Sequence, residues 1–242
     1  MIVLTATMQK AGSLWFLNMV NDLLIAAGHQ NYDVVRRKYR LDWFIRESGH
    51  MPVLRLHKAL QLLVPHFLGN TFVINTHSAP SPSARSLIYL GIIRPIYVYR
   101  DPRDVARSLF EHGEELRRWG GKSSTSYDRL MTIEDGIRFT QQLLPIWDAW
   151  MKVPGVLTTT YEALRANTIA EISKVNSFLK LGLPMETIEQ VVKRYAAETS
   201  SEVKMHLNKG IIGRWKEMMT EEQIELCRDL YGDYINRMGY EE

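Results

Sequence analysis

The sequence predicts an α/β fold in which a central parallel sheet is flanked by helices. Four short segments are rich in β-branched and aromatic residues and nearly continuous in apolar character, which is typical of strands covered on both faces. Longer stretches with apolar residues at helical spacing separate them, and this alternation favours a parallel sheet. The predicted strands are 2–6 (IVLTA), 72–76 (FVINT), 95–100 (PIYVYR) and 155–161 (GVLTTTY).

Start and stop signals predict where the main helices lie. A helix over 13–28 begins at Ser13 and ends at Gly28, which is a common residue just after a helix. A helix over 220–239 opens with the Thr-x-x-Gln pattern of a capping box. Two further helices are predicted over 104–119 and 168–180.

Composition narrows the class of protein. The 242 residues are 45% hydrophobic, which fits a single domain over residues 1–242. The net charge of +3 is too small to favour a nucleic-acid partner, but it suits a small polyanionic ligand. Cys227 is the single cysteine, which excludes an internal disulfide and fits a reducing compartment. Because no signal peptide or spanning run of about 18 apolar residues is visible, we predict a cytoplasmic protein without a membrane span.

The loop after the first strand has the ingredients of an anion site. Gly12 permits a tight turn, and the helix that follows begins with unpaired N–H groups and a partial positive charge. Lys10 adds a mobile positive charge, and Ser13 adds a hydroxyl. In a Walker A loop the lysine follows the second glycine, whereas Lys10 precedes Gly12, so this is not the usual ATPase loop. A plain strand–turn–helix with one solvated lysine remains the alternative.

The loop after the third strand offers a second set of donors. Arg100 ends the strand, Asp104 begins a helix, and Ser108 lies one turn inside it. A guanidinium presents a planar fork that suits a phosphate, and the hydroxyl adds a donor. An Arg–Asp pair at the protein surface is the competing interpretation.

A third loop, over 207–220 (LNKGIIGRWKEMMT), is basic and contains two glycines. Such a loop near the end of a chain is usually a solvated connection. It also fits a flap that closes over an anion.

Together these loops resemble the sulfotransferases that use 3′-phosphoadenosine 5′-phosphosulfate (PAPS), a family of soluble, cytosolic-type enzymes with a P-loop-like fold. The family's first loop reads Pro-Lys-Ser/Ala-Gly-Ser/Thr-Ser/Thr-Trp, and this chain has QKAGSLW at 9–15. Residues 100–108 (RDPRDVARS) fit the second motif at each fixed position. Residues 208–216 (NKGIIGRWK) fit the third, with Asn208 in place of arginine. Three motifs in order make the resemblance specific.

The resemblance implies a set of site residues. Lys10 would hold the 5′-phosphosulfate and neutralise charge on the leaving oxygen, while Trp15 would face the adenine or, alternatively, pack in the core. Arg100 and Ser108 would bind the 3′-phosphate. The implied cofactor-binding residues are Lys10, Ala11, Gly12, Ser13, Leu14, Trp15, Arg100, Ser108, Tyr161, Asn208, Lys209 and Gly210.

His77 is the predicted catalytic base, together with Lys10 as the second catalytic residue. It follows the second strand, where the family has Lys-Thr-His and this chain has Asn75 in place of the lysine. An imidazole titrates near neutrality and can take a proton from an acceptor hydroxyl or amine. Neither a zinc-type ligand cluster nor a Walker-B-like strand is visible, so no metal is predicted.

The acceptor is not identified by the sequence. A small alcohol, phenol or amine, or a glycolipid headgroup, fits a pocket built partly from 29–70 and partly from 112–132, with 120–126 (GGKSSTS) as a possible lid. The oligomeric state stays open. Two other functions remain open as well: a nucleotide kinase that uses ATP and Mg²⁺, and a non-catalytic module that binds an anionic ligand.

Overall fold

A computed structural model describes residues 1–120, 127–198 and 211–241. The chain divides into two compact units. The first comprises Met1–Tyr99 and Ile146–Leu207, and the second comprises Arg100–Pro145 and Asn208–Glu242. The single domain expected from the chain length therefore stays a prediction.

The first unit contains a parallel sheet with the strand order β2-β1-β3-β4. Its strands are β1 (Ile2–Thr7), β2 (Phe72–Thr76), β3 (Ile93–Tyr99) and β4 (Leu157–Thr160). Every residue of β1 and β2 is buried, which explains why these strands are apolar almost without interruption. All four predicted strands are present, and β2 has the predicted bounds.

The helices lie between and after the strands. In chain order they are α1 (Ser13–Ala26), α2 (Tyr32–Lys38), α3 (Leu56–Phe67), α4 (Pro82–Tyr89), α5 (Pro102–Arg118), α6 (Ile133–Gln141), α7 (Leu144–Met151), α8 (Tyr161–Ala166), α9 (Thr168–Leu179), α10 (Met185–Glu198), α11 (Trp215–Met218) and α12 (Glu221–Arg237). In the first unit α1 packs against β1 and β2, α4 against β3, and α8 and α9 against β4. The predicted α/β class with a helix-flanked parallel sheet is confirmed.

A short segment extends the sheet beyond β2. His50 pairs with Asn75 as an isolated parallel bridge. The amide of Asn75 donates to the carbonyl of Gly49 at 2.9 Å, and the amide of Met51 donates to the carbonyl of Asn75 at 2.7 Å. This pairing places His50 at the carboxyl end of β2.

The second unit is helical, with α5 packed against α6 and α12. Gly136 on α6 lies so close to α5 that a Cβ atom there would be 2.5 Å from the carbonyl oxygen of Ala106. The predicted capping box at the start of α12 is present, with the Thr220 hydroxyl accepting from the amide of Gln223 at 3.3 Å. Within the described ranges, no helix of either unit combines the length and apolarity that crossing a bilayer requires.

Candidate functional site

The turn between β1 and α1 is tight, and it leaves the start of the helix without a cap. Lys10 and Gly12 both have left-handed backbone conformations, with φ of 64° and 77°. Gly12 is the N-cap, no side chain accepts a hydrogen bond there, and the first turn contains no acidic residue. No carboxylate of the first turn compensates the positive end of the α1 dipole, which favours an anion at this position.

Tyr161 closes one side of this turn. A Cβ atom on Gly12 would lie 3.0 Å from Cε2 of Tyr161 and 3.6 Å from Cε3 of Trp15, so the Tyr161 ring would have to shift to admit it, and the left-handed backbone favours glycine as well. Tyr161 is the first residue of α8, directly after β4, rather than the last residue of the strand as predicted. The structure thus brings the predicted residues after the first and fourth strands into contact.

The predicted loop residues differ in their exposure. Ala11 and Trp15 are buried, whereas Lys10, Ser13 and Leu14 are partly exposed. The guanidinium carbon of Arg165 lies 5.7 Å from the Trp15 ring centroid. In the part of the chain that the structure describes, the buried Nε1 of Trp15 has no hydrogen-bond partner. Its burial fits the core interpretation, and the role toward adenine stays a prediction.

His77 follows β2 and is held by the end of β1. Its Nδ1 atom lies 2.8 Å from the carbonyl oxygen of Thr7 and 3.1 Å from the Thr7 hydroxyl oxygen. A carbonyl only accepts hydrogen bonds, so Nδ1 carries the proton of the neutral ring. The other ring nitrogen, Nε2, then has the lone pair and is able to accept a proton.

The surroundings keep this ring neutral. Burial lowers the pKa of His77, and the hydrogen bond to Thr7 opposes the shift, while the charges of His50 and Lys10 lower the pKa further; the result is about 4. His77 is therefore uncharged at neutral pH. The positive charge of Lys10 therefore acts on the His77 ring in the same direction as burial.

A second histidine, which the sequence analysis did not identify, lies beside His77. The ring centroids of His50 and His77 are 5.0 Å apart. Asn75 connects His50 to β1, because its Nδ2 donates to the Thr7 hydroxyl at 3.2 Å and its Oδ1 lies 3.5 Å from Nδ1 of His50. The same Thr7 hydroxyl lies beside Nδ1 of His77. Asn75 thus serves as a buried link at the position where the family has a lysine.

In the second unit, the carboxylate of Asp104 binds residues of two predicted motifs, the loop after the third strand and the basic loop. Asp104 Oδ2 accepts from Nη2 of Arg100 at 3.2 Å and from the amide of Gly213 at 2.8 Å, and Oδ1 accepts from the amide of Trp215 at 3.2 Å. Nη2 of Arg100 also donates to the carbonyl of Ile211 at 3.0 Å. The Arg–Asp pair is therefore buried and not a surface pair.

The helix that carries Asp104 begins earlier than predicted. Asp101 is the N-cap of α5, and its side chain accepts from the amide of Arg103 at 2.9 Å, so the helix starts at Pro102 and not at Asp104. Ser108 is buried four residues after Asp104, on the same face of α5.

Glu111 on α5 forms an ion pair with Arg214 of the basic loop in the second unit. Arg214 donates to both oxygens of Glu111, at 2.9 and 2.6 Å, and Arg107 donates to Glu111 at 3.2 Å. Burial acts to raise the pKa of Glu111, but the hydrogen bonds and charges of Arg214 and Arg107 outweigh it and hold the pKa below its usual range. Glu111 is therefore ionised and fixes the side chain of Arg214.

Several predicted residues cannot be placed. Asn208, Lys209 and Gly210 lie outside the described residues, as do residues 121–126 of the predicted lid. Over the described ranges, no group of three or more His, Cys, Asp or Glu side chains could hold a metal ion.

Sequence reasoning missed His50 and Asp104 as site residues. Asp104 had a local signal, because it follows Arg100 by four residues and lies in the first turn of a helix. His50 had none, because its place beside β2 depends on a pairing between segments 25 residues apart in sequence.

Comparison with known proteins places the chain among the sulfotransferases. Residues 2–239 match the family model described as the sulfotransferase domain. The chain is 25% identical over 215 residues to the luciferin sulfotransferase of Photinus pyralis, and the match covers 81% of this chain but only 56% of that protein. It is 25% identical over 259 residues to the cytosolic sulfotransferase 12 of Arabidopsis thaliana, with coverage of 92% and 74%.

Solved structures share the fold. Mouse sulfotransferase SULT7A1, complexed with PAP, superposes with a TM-score of 0.65 at 14% identity, covering 96% of this chain and 83% of that one. A retinol dehydratase in a complex with retinol and PAP gives a TM-score of 0.63 at 18% identity, with coverage of 100% and 83%. These likenesses confirm the P-loop-like fold class, and together with the family model they show that the chain belongs to the sulfotransferase family.

Proposed function

We propose that this chain transfers a sulfuryl group from PAPS to a hydroxyl or amine of an acceptor, with His77 as general base and Lys10 stabilising the leaving group. The observation that carries the proposal is the contact between Nδ1 of His77 and the Thr7 carbonyl. That contact prepares a neutral imidazole at the carboxyl edge of the sheet, within electrostatic reach of a lysine. Family membership supports the same chemistry.

The start of α1 suits the phosphosulfate end of the cofactor. Backbone N–H groups at an uncapped helix start, the Ser13 hydroxyl and the Lys10 ammonium are all donors toward an anion. Ala11, Leu14 and Trp15 complete this loop in the proposal. PAPS supplies the activated sulfuryl group when bound. Lys10 and the helix start would then stabilise negative charge without a metal ion.

The tautomer of His77 suits the role of a base, because its Nε2 atom carries the lone pair. Its Nε2 atom takes the proton of the acceptor hydroxyl or amine as that atom attacks. The resulting imidazolium still donates its Nδ1 proton to the Thr7 carbonyl, so the contact that fixes the neutral tautomer also stabilises the charged ring.

The second unit is proposed to contribute the contacts to the 3′-phosphate. Arg100 and Ser108 are the donors, and Asp104 holds the guanidinium of Arg100 in place. The same role for Asn208, Lys209 and Gly210 stays a prediction from the resemblance, as does the contact of Tyr161 with the cofactor.

The acceptor is proposed to be a small molecule or a glycolipid headgroup in the cytoplasm. The solved relative that holds retinol supports a small-molecule acceptor. A nucleic-acid acceptor is not proposed, because the net charge is only +3.

Calorimetric titration and thermal melting with adenosine 3′,5′-bisphosphate, in the absence of metal, test the proposal. We expect this nucleotide to bind and to raise the melting temperature by mass action. Binding only of ATP with Mg²⁺ would instead indicate a kinase. A subsequent acceptor screen with PAPS separates an enzyme from a binding module, because the module would bind the nucleotide and transfer nothing.

A further inference from the structure

Helix α3 is apolar on two opposite faces. Ala59, Leu62 and Pro65 are buried against the first unit. The opposite face has four apolar side chains that are between 52% and 73% exposed: Leu56, Leu60, Val64 and Phe67. The exposed polar residues His57 and Gln61 border them. A helix at the surface of a globular protein normally has polar residues on its outer face, so this stripe indicates a surface that contacts something.

Two neighbouring residues extend the stripe. Leu68, directly after the helix, is 65% exposed. Trp43 is 56% exposed and attached to α3 by two contacts: its Nε1 donates to Oε1 of Gln61 at 2.9 Å, and its ring stacks on His57 with centroids 5.8 Å apart. We call this surface the α3 patch, and it comprises Trp43, Leu56, Leu60, Val64, Phe67 and Leu68.

The charges at the two ends of the α3 patch are positive. Arg55 is exposed at the start of α3, and Lys58 lies one turn along it. At the other end, Nδ2 of Asn70 donates to the Tyr39 hydroxyl at 2.9 Å, which brings the exposed Lys38 and Arg40 near the end of α3.

Acidic side chains are missing from α3 itself, and the exposed Asp42 beside Trp43 is the acidic residue that adjoins the α3 patch in sequence. Residues 48–100 contain neither Asp nor Glu, and Asp42 and Glu47 are the nearest acidic residues before that range. An apolar stripe with cationic ends is complementary to an anionic surface that has an apolar layer beneath it. A second copy of the chain fits less well, because pairing two such patches would bring like charges together.

We propose that the α3 patch binds the surface of an anionic lipid membrane. Its leucine, valine and phenylalanine side chains enter the boundary between headgroups and acyl chains, as in helices that lie in the plane of a membrane. Trp43 takes the interfacial position that tryptophan favours, and the lysine and arginine side chains contact lipid phosphates. This binding goes beyond the proposed sulfuryl transfer and does not depend on it.

Vesicle sedimentation of the full chain tests the proposal without nucleotide or acceptor. The probes are vesicles of phosphatidylcholine alone and vesicles that also contain phosphatidylglycerol. We expect binding to the anionic vesicles that weakens with added salt. The double variant Leu60→Glu, Phe67→Glu should reduce the partition coefficient about ten-fold or more, because two apolar contacts are lost.

Met185→Glu is the matched control, because Met185 is 49% exposed on α10, which packs against α1 and α9. It should keep full binding, and thermal melting should show that all variants fold. Absence of binding to anionic vesicles, or equal binding by the double variant, would overturn the proposal. Equal binding to phosphatidylcholine would do the same. So would self-association in sedimentation velocity that the double variant abolishes without any vesicle binding, since it would assign the patch to a dimer.

Discussion

The Nδ1 atom of His77 lies 2.8 Å from the carbonyl oxygen of Thr7. Thr7 is the last residue of β1 and His77 is the first after β2, so the pairing of two adjacent parallel strands sets this contact. The sheet itself therefore selects the tautomer of the proposed base.

Replacing His77 by alanine should reduce kcat by roughly 10²–10⁴-fold, the usual size of a general-base effect. Affinity for adenosine 3′,5′-bisphosphate should change little, because the donors proposed for the nucleotide lie on other residues. Steady-state kinetics and calorimetry measure the two effects separately. Tyr89→Ala removes a side chain that is 92% exposed in the same unit, outside the segments expected to build the acceptor pocket, and should leave kcat unchanged. An unchanged kcat in His77→Ala would remove His77 from the mechanism.

The proposed base should remain neutral well below the ordinary range of histidine. Because burial lowers its pKa to about 4, the value of kcat/KM should not fall through protonation of His77 until the pH drops below about 5. NMR titration of the free protein, with the His77 resonance assigned from a His77→Gln variant, measures the pKa directly. A titration centred near the ordinary value of about 6.5 would contradict the environment described for this ring.

Gly12→Ala should impair both stability and nucleotide binding. The new Cβ would lie 3.0 Å from the ring of Tyr161, in a backbone conformation with φ of 77°. Gly28→Ala is the control, because Gly28 has a similar φ of 85° and nothing within 4 Å of the added atom. Both variants should lose about 1 kcal/mol of unfolding free energy to backbone strain. Only Gly12→Ala should lose more stability and weaken binding, and equal effects would show that Tyr161 does not constrain the turn.

Asp104→Ala should destabilise the second unit strongly. It removes the acceptor for Arg100 and for the amides of Gly213 and Trp215, and it leaves a buried guanidinium without its carboxylate. Breaking a buried ion pair in this way costs about 3–5 kcal/mol. Urea denaturation measures the loss, and Asp42→Ala, at an exposed aspartate, should stay within about 0.5 kcal/mol of the unchanged protein. A loss as small as that of the control would mean that the basic loop is held by other contacts.

The local part of the site could be predicted from the sequence. Lys10, Gly12 and Ser13 form an uncapped turn between a strand and a helix, and His77 follows β2 directly, as expected. These features depend on residues close together in the chain, where strand periodicity, glycine and helix starts leave clear patterns. The roles of these residues toward PAPS stay predictions.

The tertiary structure alone decided which distant residues meet. His50 reaches His77 because residues 49–51 pair with β2, and Asp104 binds amides that lie more than a hundred residues further along the chain. No local pattern encodes such contacts, because they depend on the strand order and on how helices pack. The protonation state of His77 is decided in the same way, since burial and the neighbouring charges exist only in the folded chain.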